Sequence, residues 1–93
     1  MGINFKIVYH ELVVREDIPA LDATWRLKIQ RAIESRLTTQ PEVFGKPLRR
    51  SLKGYRKLRV GDWRVIFRIE RNVVKIFLIA HRSRVYQTIT KRM

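Results

Sequence analysis

The stretch Tyr55-Arg-Lys-Leu-Arg-Val-Gly-Asp-Trp-Arg-Val-Ile-Phe-Arg-Ile-Glu-Arg-Asn-Val-Val-Lys-Ile-Phe-Leu-Ile-Ala80 decides the fold. It holds three runs rich in β-forming residues, parted by Gly61-Asp62 and Arg71-Asn72. Two-residue breaks of this kind read as hairpin turns. The spacing therefore predicts an antiparallel meander over Tyr55–Val60, Trp63–Glu70 and Val73–Ala80. Side chains alternate across a strand, which sorts the residues by face. In the middle run Trp63, Val65, Phe67 and Ile69 form an unbroken apolar set that must face a core, and Arg64, Ile66 and Arg68 face the other way. In the first run Tyr55, Lys57 and Arg59 share one face, while Arg56, Leu58 and Val60 share the other. The third run is apolar on both faces, with Val73, Phe77 and Ile79 on one and Val74, Ile76 and Leu78 on the other. That suits a central strand, or one partly roofed by the C-terminal segment. The run ends at His81-Arg82, with Tyr86 just beyond.

Upstream, Phe5-Lys-Ile-Val-Tyr-His10 reads as a first strand with Phe5, Ile7 and Tyr9 on one face. A short helix is expected over 11–17, interrupted at Ile18-Pro19 because proline restricts the residue before it. Asp22 can N-cap a second helix. Trp25, Ile29, Ala32, Ile33 and Leu37 then form one apolar stripe, and Thr38-Thr-Gln-Pro41 ends that helix. Phe44-Gly-Lys-Pro47 reads as loop, and Tyr86–Met93 as a short helix or a flexible tail. The order is β-α-α-β-β-β: an α+β domain with two N-terminal helices on one face of a small, mainly antiparallel sheet. Trp25 and Trp63 are expected in the core.

The chain has 93 residues, which is one small domain. Hydrophobic residues make up 45% of it, enough for a core and too many for a disordered chain. Without cysteine it has no disulfide framework, thiol nucleophile or zinc–thiolate site. Met1-Gly-Ile-Asn-Phe-Lys6 lacks the apolar core of a signal peptide. The run Ile76–Ala80 falls far short of the ~18 apolar residues a spanning helix needs. A cytoplasmic protein with no membrane partner is expected.

The formal net charge is +13, and it is not spread evenly. Residues 1–42 hold six basic and six acidic side chains and sum to zero. Residues 43–93 hold 15 basic residues against Asp62 and Glu70 alone, so all of +13 arises there. Such a concentration marks a polyanion site, with nucleic acid the foremost candidate. A basic face that only aids solubility is the blander reading.

The usual catalytic sets are missing. Only His10 and His81 are present, without metal-binding spacing, and the four glycines stand singly at 2, 45, 54 and 61. No metal site and no phosphate-cradling loop is expected. What remains is Arg, Lys, Tyr and one His. RNA cleavage suits such a set, because RNA supplies its own nucleophile in the 2′-hydroxyl. The protein need only orient it, stabilise charge on the phosphorane and move protons, tasks for Arg, Lys, Tyr and His. Taken alone, alternation and composition support a basic sheet face that binds nucleic acid. Lys57 and Arg59 read equally as exposed strand charges, His81 as a surface histidine, and Tyr55 and Tyr86 as sheet-edge packing.

Gly45-Lys-Pro-Leu48, then Leu52-Lys-Gly-Tyr-Arg-Lys-Leu-Arg-Val-Gly-Asp-Trp-Arg-Val-Ile-Phe67, then Ile79-Ala-His-Arg-Ser-Arg-Val-Tyr86 together resemble the RelE branch of the RelE/ParE toxin superfamily. The likeness runs over nearly the whole chain, from Phe5–His10 through Leu37–Pro41. It implies the toxin of a type II toxin–antitoxin pair. Such a toxin enters the ribosomal A site and cuts mRNA without a metal or other cofactor, leaving a 2′,3′-cyclic phosphate. Residue by residue, Lys57 matches a catalytic lysine. Arg64 matches an arginine on the scissile phosphate, and Arg82 a transition-state or leaving-group stabiliser. Tyr86 matches a tyrosine that orients or activates the 2′-hydroxyl, with His81 as a companion. Lys53, Tyr55, Arg56, Arg59, Arg68 and Arg84 are the further RNA-binding candidates. Tyr55 stands where some members carry a lysine, with Arg56 as a substitute, and Ala80 stands where glycine is common. The implied partners are a cognate acidic, RelB-like antitoxin in a hetero-oligomer, and the 70S ribosome with its A-site mRNA and ribosomal RNA. The alternatives are a ParE-like DNA gyrase inhibitor on the same fold, or a non-catalytic nucleic-acid-binding module.

Overall fold

The computed structural model describes residues 4–93. Met1–Ile3, where the segment read for a leader begins, lie outside them. The five strands are β1 (Lys6–Tyr9), β2 (Lys46–Pro47), β3 (Tyr55–Val60), β4 (Trp63–Glu70) and β5 (Val73–His81). They form one sheet in the order β1-β5-β4-β3-β2. β3, β4 and β5 are the expected meander, and β1 joins it parallel to β5. β5 is therefore interior, as its two-sided apolar sequence requires.

After a π-helical turn at Val13–Asp17, α1 runs from Ala23 to Ala32. Asp22 caps it, its carboxylate accepting the Trp25 amide at 2.9 Å. The helix continues as a π-helical segment, Ile33–Leu37, which carries the apolar stripe on to Leu37. Val13, Leu21, Ile29, Ile33 and Leu37 pack on the sheet face that carries Leu58, Val65 and Phe67. Trp25 and Trp63 border this core, partly buried.

Two sequence expectations are corrected. A short helix, α2 (Pro41–Phe44), leads into the segment read as loop, Phe44–Pro47, which holds β2, where Lys46 pairs opposite Lys57. Gly45 between them is forced by packing, since a Cβ there would lie 2.2 Å from Phe67. Strict alternation also fails along β5. The β4–β5 register slips by one between Ile66 and Phe67, whose partners are Leu78 and Ile76. Phe77 is the extra residue of that bulge. It therefore parts from Ile79, which joins Val74 and Ile76 in the helix-side core. On the far sheet face, of the readings left open, the structure takes the roofed one. The C-terminal segment is helical, α3 (Val85–Arg92), and lays Val85 and Ile89 on Ile66 and Leu78 to form a second small core.

A buried ion pair fixes α3. Arg92 donates to both carboxylate oxygens of Asp17, at 2.7 and 3.0 Å, and to the Phe77 carbonyl at 3.2 Å. The Asp17 carboxylate also accepts the Ile79 amide at 2.9 Å. The two side chains are only 5% and 8% exposed.

Candidate functional site

Across an antiparallel pair, opposed residues share a face. Tyr55 lies opposite Arg68, Lys57 opposite Ile66 and Arg59 opposite Arg64. These rows lie on the α3 side of the sheet, spaced by about 7 Å, twice the strand rise. α3 projects Tyr86 into the middle row. The Lys57 ammonium donates to the Tyr86 hydroxyl at 3.2 Å and lies 5.8 Å from the ring centre. Tyr86 is half exposed, so this pair faces solvent. Beside it is a hollow of about 350 Å³ lined by Lys46, Arg49, Leu52, Lys57 and Tyr86.

Arg64 and Arg82 are both held at the β3–β4 turn. One terminal nitrogen of Arg64 donates to the Gly61 and Trp63 carbonyls, each at 2.9 Å. That leaves the other guanidinium donors free, with their direction fixed. The Arg82 amide donates to the Asp62 carbonyl at 2.8 Å, and its guanidinium lies 3.7 Å from the Asp62 carboxylate. Its side chain is 61% exposed. Such a pair steers the arginine more than it binds it. Gly61 carries the turn at φ +61°, where a side chain is strained.

The remaining candidates divide. Arg59 is exposed beside Arg64. Arg68 lies over the Tyr55 ring at 5.7 Å and against Glu70 at 3.5 Å. Tyr55 also packs on Phe77, with ring centres 5.2 Å apart. Lys53 and Arg84 are exposed, Lys53 before β3 and Arg84 at the start of α3. Two residues lie elsewhere. Arg56 donates to the Gly45 and Glu42 carbonyls at 2.9 and 3.3 Å, closing the C-terminal end of α2 on the helix side. His81 lies opposite Trp63, on the Trp63 face, with its ring edge-on at 5.5 Å. Its Nδ1 accepts the Ser83 amide and contacts the Ser83 hydroxyl, so the neutral ring carries its proton on Nε2. The geometry does not bring it to Tyr86.

Sequence reasoning missed Lys46 and Arg49, which line the hollow at the Lys57–Tyr86 pair. The signal was β2, two residues long and hidden in an apparent loop. Two ionisations stand out in the described chain. Lys75, hydrogen-bonded to Glu70 at 3.0 Å, holds that carboxyl below the usual carboxylate range. Burial, and then the Glu34 charge, push the Tyr9 phenol up. Among the described residues no three His, Cys, Asp or Glu side chains cluster as metal ligands. Among the described residues no helix is long and apolar enough to cross a membrane.

Residues 5–86 match the family described as the ParE toxin of type II toxin–antitoxin systems, parDE. None of the curated proteins matches the chain in sequence. Among solved structures, the toxin–antitoxin complex RelBE2 from Mycobacterium tuberculosis superposes with a TM-score of 0.80. The two share 26% identity over 87% of this chain and 94% of that one. A mutant of the E. coli toxin RelE in the free state gives 0.65, with 15% identity over 97% and 98% of the two chains. YafQ from E. coli gives 0.61, with 20% identity over 88% and 98%. These last two likenesses concern the fold. The chain belongs to the ParE toxin family of type II toxin–antitoxin systems, and its fold is one that RelE toxins share.

Proposed function

We propose that this toxin is a ribosome-dependent endoribonuclease that cuts A-site mRNA, without a metal, and so halts translation. The observation that carries this reading is the Lys57–Tyr86 contact at 3.2 Å, one row from Arg64 on the same sheet face. In the reaction the RNA 2′-oxygen bonds to the adjacent phosphorus while the bond to the 5′-oxygen breaks. The products are a 2′,3′-cyclic phosphate and a 5′-hydroxyl. Tyr86 orients the 2′-hydroxyl, and its proton passes to the pair in the form with one proton fewer, a Tyr86 phenolate whose charge the Lys57 ammonium balances. Arg64 faces the scissile phosphate and stabilises the charge that builds on its oxygens. Arg82 stabilises the departing 5′-oxygen, which takes a proton from solvent. Lys46 and Arg49 extend the positive lining along the RNA strand. The partner that silences this face is an acidic, RelB-like antitoxin, and the cell compartment is the cytoplasm.

The test is mapping of mRNA 5′ ends on programmed 70S ribosomes. Cuts at fixed codon positions are expected, with loss of roughly 10²–10³ in rate for Arg82→Ala. Cuts at undiminished rate in Arg82→Ala would remove that residue from the site. The family's ParE description favours a second reading, inhibition of DNA gyrase. Gyrase-dependent DNA breaks without mRNA cuts would establish it instead.

A further inference from the structure

The positive charge that the sequence assigned to residues 43–93 does not act alone in the fold. Lys28, Arg31, Ser35 and Arg36 lie off the apolar stripe of α1 and its π-helical extension. That polar face runs beside β3. β2 covers β3 only opposite Arg56 and Lys57, so Leu58–Val60 is a free strand edge. Between helix and edge lies a groove of about 510 Å³, lined by Lys28, Arg31, Ser35, Arg36, Arg59 and Gly61. Among the described residues no carboxylate lines it. None of its four cations has an ion-pair partner among the described residues. Two are held by aromatic faces. The Lys28 ammonium is 4.8 Å from the Trp25 ring centre, and the Arg36 guanidinium 5.6 Å from that of Phe44. Gly61 makes room for the Trp25 ring, since a Cβ there would lie 2.5 Å from it. The groove opens at the β3 edge: its helix wall lies across the sheet from Lys57 and Tyr86, and Arg59 joins it from the Lys57 face.

We infer that this groove binds the phosphate backbone of nucleic acid, at a second contact separate from the cleavage site. In naming that nucleic acid as RNA, the inference rests on the function proposed above. From Lys28 to Arg36 the helix rises about 12 Å. One nucleic-acid strand presents a phosphate every ~3.4 Å along a helical axis, so several face that length at once. Arginine forks grip phosphate in two-point contacts, and cations already held by aromatic rings lose little freedom on binding. An acidic polypeptide is the rival occupant. It would add as a strand, but a three-residue free edge gives little length for a new ladder.

The test uses the full chain and a labelled single-stranded 2′-O-methyl RNA, which lacks the nucleophile and cannot be cut. For the triple variant K28Q/R31Q/R36Q, the slope of log affinity against log salt should fall by about two, ~0.7 per lost phosphate contact. Affinity near 0.1 M salt should drop roughly tenfold or more. The single variants Arg31→Gln and Arg36→Gln should each lower the slope by ~0.7 and decide the matter if the triple variant melts early. Unchanged slopes and affinity overturn the inference. So does a triple variant that keeps RNA binding but loses binding to polyglutamate, which would assign the groove to an acidic chain. Because the probe cannot be cut, the outcome is independent of cleavage. A wild type that binds through the groove but never cuts mRNA overturns the proposed activity and leaves this inference standing.

Discussion

Lys57 and Tyr86 are 29 positions apart in the chain, and two elements bring them to 3.2 Å. β3 fixes the lysine Cα in a paired ladder, while α3 carries the tyrosine on its exposed side. An ammonium donating to a phenol oxygen is useful if the two groups move a proton together. Such pairs are non-additive: once one member is lost, removing the other costs little. Lys57→Met and Tyr86→Phe should each slow single-turnover cleavage on the ribosome by roughly 10²–10⁴, and the double variant by little more than the worse single one. Fully multiplicative losses would mean that the two act separately. Tyr9 makes a different prediction. Its phenol ionises at higher pH in the folded chain than in the unfolded one, mainly because it is buried. The neutral form is therefore favoured by folding. Its contribution is fully present below the unfolded value of 10.0 and is lost as pH rises through the folded value. Between the two values stability should fall by up to about 1.4 kcal/mol per pH unit from this group alone. Urea melts above pH 10 should show a shallower loss in Tyr9→Phe than in the wild type, and equal losses would contradict the assignment. Parity also bears on His81. The bulge at Phe77 returns Ile79 and His81 to the Trp63 face, a shift that alternation counted from Val73 cannot reveal.

At the level of elements, α3 is docked by a small apolar core and by one deep ion pair. Arg92 and Asp17 form a two-point pair in which Asp17 also accepts a β5 amide. Removing one partner of a buried pair leaves the other charge without compensation, at about 3–5 kcal/mol. Asp17→Ala should therefore lower the unfolding free energy by about that much. It should also raise amide exchange along 85–92 before the rest of the chain opens. Replacing both partners, in Asp17→Ala with Arg92→Met, should restore part of the loss. A cost below about 1 kcal/mol with unchanged exchange would mean that Val85 and Ile89 alone dock the helix. None of this was legible in the sequence, because a contact across 75 positions leaves no local pattern. The elements that carry periodicity were legible. Trp63–Ile69 alternates, Trp25–Leu37 repeats at helical spacing, and Gly61-Asp62 and Arg71-Asn72 mark the turns. β2 was not, since two residues have no period and Pro47 argues against a strand. For the candidate site, strand parity put Lys57 and Arg64 on one face. The position of Tyr86 depended on how α3 docks, and so came from resemblance rather than from periodicity.

For the whole molecule, the net charge of +13 acts in two opposed ways. Like charges repel in the compact state, so the isolated toxin folds against its own field. Few acidic groups relieve it. In the basic half, Asp62 meets Arg82, and Glu70 lies between Arg68 and Lys75, all on the surface. The same field would attract RNA and complement an acidic antitoxin. Added salt shrinks the reach of every surface charge, to about 10 Å at 0.1 M from about 30 Å at 0.01 M. One variable should therefore move two measurements in opposite directions. Between about 0.01 and 0.3 M sodium chloride the melting temperature of the free chain should rise by several degrees, because each 1 kcal/mol of relieved repulsion is worth about 4–8 °C in a domain of this size. Over the same range RNA affinity should fall by orders of magnitude. A melting temperature that falls with salt would mean that surface ion pairs outweigh repulsion. The excess charge would then not limit the stability of the free chain.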